Sequence, residues 1–320
     1  MLTALRDGFG SVGRNFGLVL LVLLTNLGLA LLLAAPLAVE LREDLAFRGA
    51  SVGMMYGFDY EWWGRWLDDQ EGYARSLAPD ILGRGFALKS LDLLLRGALP
   101  AGLFSWGNVR FPPLILGVGA LYVLVQVFLT GGLLGVFRAP QGGWTVRGLL
   151  HGSGFYFGRL VRVSLLSLAL VGLVFALNVP FARWADGRAR EAVSETTAVA
   201  LTLGRHALLL ALLLLVHMVA SYAKVIVVRE ERLSAVLALV SSFGFCARNF
   251  FAAFGQYVVV GALGALLLFA FSAFDGRLGV VGWKSQLLAL ALFQTFLVAR
   301  IAVRLGLLAS QVELVRERER

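Results

Sequence analysis

Six stretches of this chain pass from one charged residue to the next through sequence apolar enough for a bilayer interior: 15–39, 111–137, 163–182, 206–223, 249–274 and 285–299. A helix needs about 20 residues to cross about 30 Å of hydrocarbon, because it rises only about 1.5 Å per residue. Five of the runs meet or approach that length. The sixth becomes a span if its helix continues through Arg300 and Arg304, whose long side chains can snorkel toward the interface. The fourth extends in the same way past Lys224 to Val228. Hydrophobic residues make up 59% of the chain and charged ones 15%, against about a quarter charged in soluble domains. No core of this size hides so much apolar surface from water. The expected fold is an all-α integral membrane protein, a single polytopic domain over 1–320 with six transmembrane helices. The first run is too long for a signal-peptide core and no small-residue cleavage site follows it, so it is expected to stay as an anchor.

Lys and Arg set the orientation. With the N-terminus inside, the inner segments hold 15 basic and 6 acidic residues, and the outer segments 14 of each. The entire net charge of +9 then lies on one side, and the loop 138–162 carries Arg138, Arg147, Arg159 and Arg162 with no acid. Both termini are expected on the cytoplasmic side, with anionic lipids as partners of the basic face. Basic residues punctuate apolar segments and form no continuous aromatic-studded face, so nucleic acid is not an expected partner.

The longest stretch outside the spans, 40–110, carries 10 of the 20 acidic residues and the aromatic cluster MMYGFDYEWWGRW. It is expected to form an extracytoplasmic cap between the first two spans. Within it, 81–99 places Ile81, Phe86, Leu88, Leu91 and Leu95 at helical spacing between charges, the pattern of an amphipathic helix at an interface.

Two octapeptides share five of eight residues: FGSVGRNF (9–16) and FGFCARNF (243–250), each leading into a long apolar run. A weaker copy, GFYFGRLVRV (154–163), precedes the third span. Arg14, Arg159 and Arg248 are therefore expected as inner-interface anchors, with Arg300 and Arg304 in the same role on the last helix. The pattern suggests three helical-hairpin repeats, each an interfacial segment hinged to a span.

Chemistry inside a membrane commonly needs a carboxylate or histidine in a span. The six runs contain no Asp or Glu. His206 and His217 are separated by 11 residues, about 16 Å along a helix and too far apart for one metal. Cys246 is the single cysteine, which excludes an internal disulfide. No cofactor or metal is expected, and no catalytic motif is present. The polar residues inside the spans do fall into stripes: Tyr122, Gln126 and Thr130 at i, i+4, i+8, and His217, Ser221 and Lys224 at i, i+4, i+7. Either they hydrogen-bond between helices or they line a polar path or headgroup pocket.

The segment YAKVIVVREERLSAVLALVSSFGFCARNF, with the opening RDGFGSVGRNFGLVLLVLLTNLGLALLLAAP, resembles a broad group of bacterial six-helix proteins similar to the membrane domain attached to some glycerophosphodiester phosphodiesterases. That resemblance implies the architecture and a bacterial inner membrane. It brings no catalytic domain and no site residues. The first functional expectation is a non-catalytic subunit that scaffolds or anchors a larger complex, with a protein partner or a second copy of the chain. The alternative is a permease or lipid-handling component working through the polar stripes of the second and fourth spans. An integral membrane enzyme is a third, weaker reading.

Overall fold

The computed structural model describes residues 1–48, 59–70, 74, 113–139, 143–275 and 283–318. The expected amphipathic helix at 81–99 lies outside them. Among the described residues the regular elements are α-helices: α1 (Leu2–Arg14), α2 (Gly17–Arg48), α3 (Tyr60–Asp69), α4 (Pro113–Arg138), α5 (Val146–Glu191), α6 (Glu195–Arg229), α7 (Ala235–Arg248), α8 (Phe250–Asp275) and α9 (Trp283–Arg318). Six of these, α2, α4, α5, α6, α8 and α9, are long and apolar enough to span a membrane.

Several helices overrun the apolar runs that seed them, because nothing at the run ends breaks a helix. Thus α2 continues past Val39 through Glu40, Arg42, Glu43 and Asp44. There Leu37, Leu41 and Leu45 pack against Trp62 and Trp66 of α3, and the Trp62 indole donates to the Asp44 carboxylate at 2.6 Å. The segment 183–203, between the third and fourth apolar runs, is helical except around 192–194, and Arg188 pairs with Glu191 at 3.6 Å on its surface. Pro36 and Pro180 sit inside α2 and α5, as membrane helices tolerate.

The Arg-Asn-Phe triplets break the chain in the same way twice. Asn15 ends α1 with φ −113° and ψ 39°, and Asn249 ends α7 with φ −117° and ψ 30°. Each asparagine donates its side-chain amide to the carbonyl four residues back, Ser11 at 2.9 Å and Phe245 at 3.1 Å. Its own carbonyl then accepts the first bond of the next helix, from Leu18 and from Ala252. The third copy does not break. Arg159 lies within the 46 residues of α5, and fully buried Leu160 stands where the other copies have asparagine. Lacking a side chain that competes for backbone carbonyls, the helix continues.

Two groups of helices make the bundle. Helices α4, α5, α6 and α7 pack successively, while α1 and α8 pack on α9, and α2 bridges α9 and α4. Close crossings rest on glycine. A Cβ at Gly132 of α4 would overlap the Leu149 carbonyl and the Ser153 hydroxyl of α5, and one at Gly8 of α1 would overlap Ser310 of α9. Such small-residue contacts let membrane helices gain dispersion energy where lipid supplies no hydrophobic drive. The Met1 amine lies 3.8 Å from Glu317, so both described ends of the chain share one end of the bundle, the termini end.

Buried side chains concentrate there: Val127 to Phe137 of α4, Leu149 to Val163 of α5, Met218 to Val228 of α6 and Leu305 to Val315 of α9. Farther from the termini the packing is mainly within hairpins. Arg205 of α6 pairs with Asp186 of α5, and Phe271 of α8 lies 4.6 Å, centroid to centroid, from Phe296 of α9.

Candidate functional site

Where the dense packing begins, α2, α4, α6 and α9 enclose a cavity of about 120 Å³. Each helix contributes one face. From α4 come Gln126, Thr130 and Leu133, and from α6 come His217, Ser221 and Lys224. Ile301, Arg304, Leu308 and Gln311 of α9 form the third wall, and Val22 of α2 closes the fourth. The spacings 126/130/133, 217/221/224 and 301/304/308/311 are all i, i+3/i+4 rows, which is how a helix lines a seam.

Most of the polar side chains have protein partners. Gln126 donates to the Asn26 side-chain oxygen of α2 at 2.7 Å. Thr130 returns its hydroxyl proton to the Gln126 carbonyl at 2.6 Å. Ser221 donates to Gln311 Oε1 at 2.6 Å, and Gln311 Nε2 donates to the Tyr257 hydroxyl of α8 at 3.0 Å. The His217 ring stands edge-on to the Tyr257 ring, with centroids 5.8 Å apart. Behind this wall, Tyr222 donates to Gln256 Oε1 at 2.8 Å, and Gln256 donates to the Ser310 carbonyl at 3.0 Å. The amides are fixed, and their network ties α6, α8 and α9 together.

The cations are different. Among the described residues, Lys224 and Arg304 make no hydrogen bond or ion pair to a protein group. No Asp or Glu lines the cavity. A cation within a span costs about 2.5–3.5 kcal/mol on insertion scales, and two on one cavity also repel each other. The arrangement suits an anion. Lys224 offers a point charge with three donors, and Arg304 a planar fork that fits carboxylate or phosphate in bidentate fashion.

Of the residues expected on a polar path, Gln126, Thr130, His217, Ser221 and Lys224 come together here, and Tyr122 does not. Tyr122 lies on the exposed surface of α4. Arg304, expected at the inner interface, also lines the cavity, and both it and Arg300 one turn away are exposed. Arg14 and Arg248 are exposed at the ends of α1 and α7. Arg159 donates to the Glu231 carbonyl at 3.0 Å and covers the Phe155 ring at 4.8 Å. Two contributors are missing from the sequence-based set, Asn26 and Gln311. Asn26 is a polar interruption in the first apolar run and was visible in principle. Gln311 falls beyond Arg304, outside the six apolar runs, and only a 36-residue α9 brings it into the bundle. Among the described residues no group of three or more His, Cys, Asp or Glu side chains is placed to hold a metal. Compared with family models, with curated proteins and with solved structures, the chain finds no match in any of the three.

Proposed function

We propose that the protein binds and handles an anionic molecule inside the membrane, as a lipid-handling or permease component of a bacterial inner membrane with both termini cytoplasmic. The observation that carries this reading is one cavity lined by Lys224 and Arg304, both without protein partners among the described residues, and by no carboxylate. The charge asymmetry of the sequence supports the orientation, since the termini side then holds the excess of Lys and Arg. A scaffolding role, the first expectation from the sequence, has no feature of comparable specificity behind it. The two Arg-Asn-Phe hinges favour a repeat that relates α1–α2 to α7–α8, with α5 as a member that has lost its hinge.

The test is co-purification. Full-length protein extracted from membranes is expected to retain an anionic amphiphile or anion identifiable by mass spectrometry, and K224Q/R304Q to retain at least tenfold less, the scale of losing one or two charge-assisted hydrogen bonds. Equal retention by wild type and variant contradicts the reading.

A further inference from the structure

The seam that forms the cavity continues toward the termini end of the bundle. On α4 it passes from Thr130 to Arg138, on α6 from Lys224 to Arg229, and on α9 from Gln311 to Arg316. These steps of 8, 5 and 5 residues amount to roughly 12, 8 and 8 Å of helix. Here the same three helices enclose a second crevice of about 230 Å³, lined by Arg138, Arg229, Val312 and Arg316. Three of its four lining residues are arginines, and they come from three different helices.

The protein's own hold on two of them is one-sided. Arg138 gives its Nη1 to the Glu231 carboxylate at 2.8 Å, to the Val228 carbonyl at 3.0 Å and to the Tyr156 hydroxyl at 3.3 Å. Arg316 gives its Nη1 to Glu313 at 3.4 Å. Among the described residues, Nε and Nη2 of both have no protein acceptor. Nε and Nη2 form the edge of a guanidinium that engages two oxygens of one phosphate. Glu231 and Glu313 therefore orient their arginines without occupying that edge. The Arg138 side chain is 42% exposed and that of Arg316 39%, so the crevice is open to an incoming group.

We propose that Arg138, Arg229 and Arg316 form a second anion site, one that takes the oxygens of a phosphate group at the ends of α4, α6 and α9. The site is independent of the cavity above it. A phosphate group reaches it from two sources, an anionic phospholipid in the adjoining leaflet or free phosphate from the aqueous side.

Full-length protein in phosphatidylcholine nanodiscs is titrated in one arm with phosphatidylglycerol and in the other with radiolabelled inorganic phosphate. The number bound is read by native mass spectrometry in the first arm and by equilibrium binding in the second. Three proteins are compared: wild type, R229Q/R316Q and K224Q/R304Q. Arg138 is left intact because it holds the α6–α7 turn. With at least one probe, R229Q/R316Q is expected to bind one equivalent fewer than wild type, or to hold it about tenfold more weakly, and R229K/R316K to recover part of the loss. The probe that shows this names the source. If R229Q/R316Q does not fold, R316Q alone carries the test. Wild type binding neither probe, or R229Q/R316Q binding both as wild type does, overturns the site. A loss confined to K224Q/R304Q upholds the cavity and overturns this site, and a loss confined to R229Q/R316Q does the reverse.

Discussion

At the scale of the residue, Lys224 and Arg304 are the ones whose placement local packing does not explain. Lys224 is half-buried without a protein partner among the described residues, and a cation within a span costs about 2.5–3.5 kcal/mol on insertion scales. Lys224→Met is therefore expected to raise the midpoint of thermal unfolding in neutral detergent while it abolishes anion retention. A midpoint that falls marks Lys224 as structural. Ser221→Ala is a control on the same wall. Interhelical hydrogen bonds in membranes average about 0.6 kcal/mol, so losing the bond to Gln311 is expected to cost about 1 kcal/mol or less, read by chemical unfolding. Cys246 is buried in α7. Burial pushes its thiol up to about 11, with a hydrogen bond to Ser242 pulling weakly the other way. The thiolate is thus scarce at pH 8, and maleimide is expected to modify Cys246 far more slowly in the folded protein than in denaturant, the rate climbing as pH approaches 11.

The elements were legible to different degrees. The six spans follow from apolar length alone, since nothing in hydrocarbon replaces the backbone bonds a helix makes internally. Their ends were less legible. Residues 40–48, 183–191 and 305–318 carry charges that mark water contact without marking the end of a helix; α5 and α9 wind on even through Gly187 and Gly306. The hinges depended on a single residue type. Both copies with asparagine break, while the copy with Leu160 runs straight. Asn249→Leu is accordingly expected to weaken the break between α7 and α8. Loss of the bond to the Phe245 carbonyl costs about 1 kcal/mol, detected as lowered stability and altered spin-label distances across residue 249. Unchanged distances and stability refute the role given to asparagine. The polar stripes were legible as i, i+4 rows. Which faces meet was not, because that depends on how helices far apart in sequence cross, and Tyr122 lies on the outside for that reason.

For the whole molecule, the dense termini end and the hairpins beyond it place a cationic cavity where central packing gives out. The orientation of that arrangement is checked by single cysteines at exposed turns: Val193 between α5 and α6, and Leu233 between α6 and α7. In intact cells an impermeant maleimide is expected to label V193C and to spare L233C until the membrane is opened; the opposite pattern inverts the topology. The central claim is that the cavity holds an anion. It is tested most directly by the density between α4, α6 and α9 in a structure determined in nanodiscs containing anionic phospholipid. An anionic group within about 2.7–2.9 Å of Lys224 Nζ and the Arg304 guanidinium is the predicted result. A cavity that has closed, or that holds only water while both side chains turn away from it, contradicts the account.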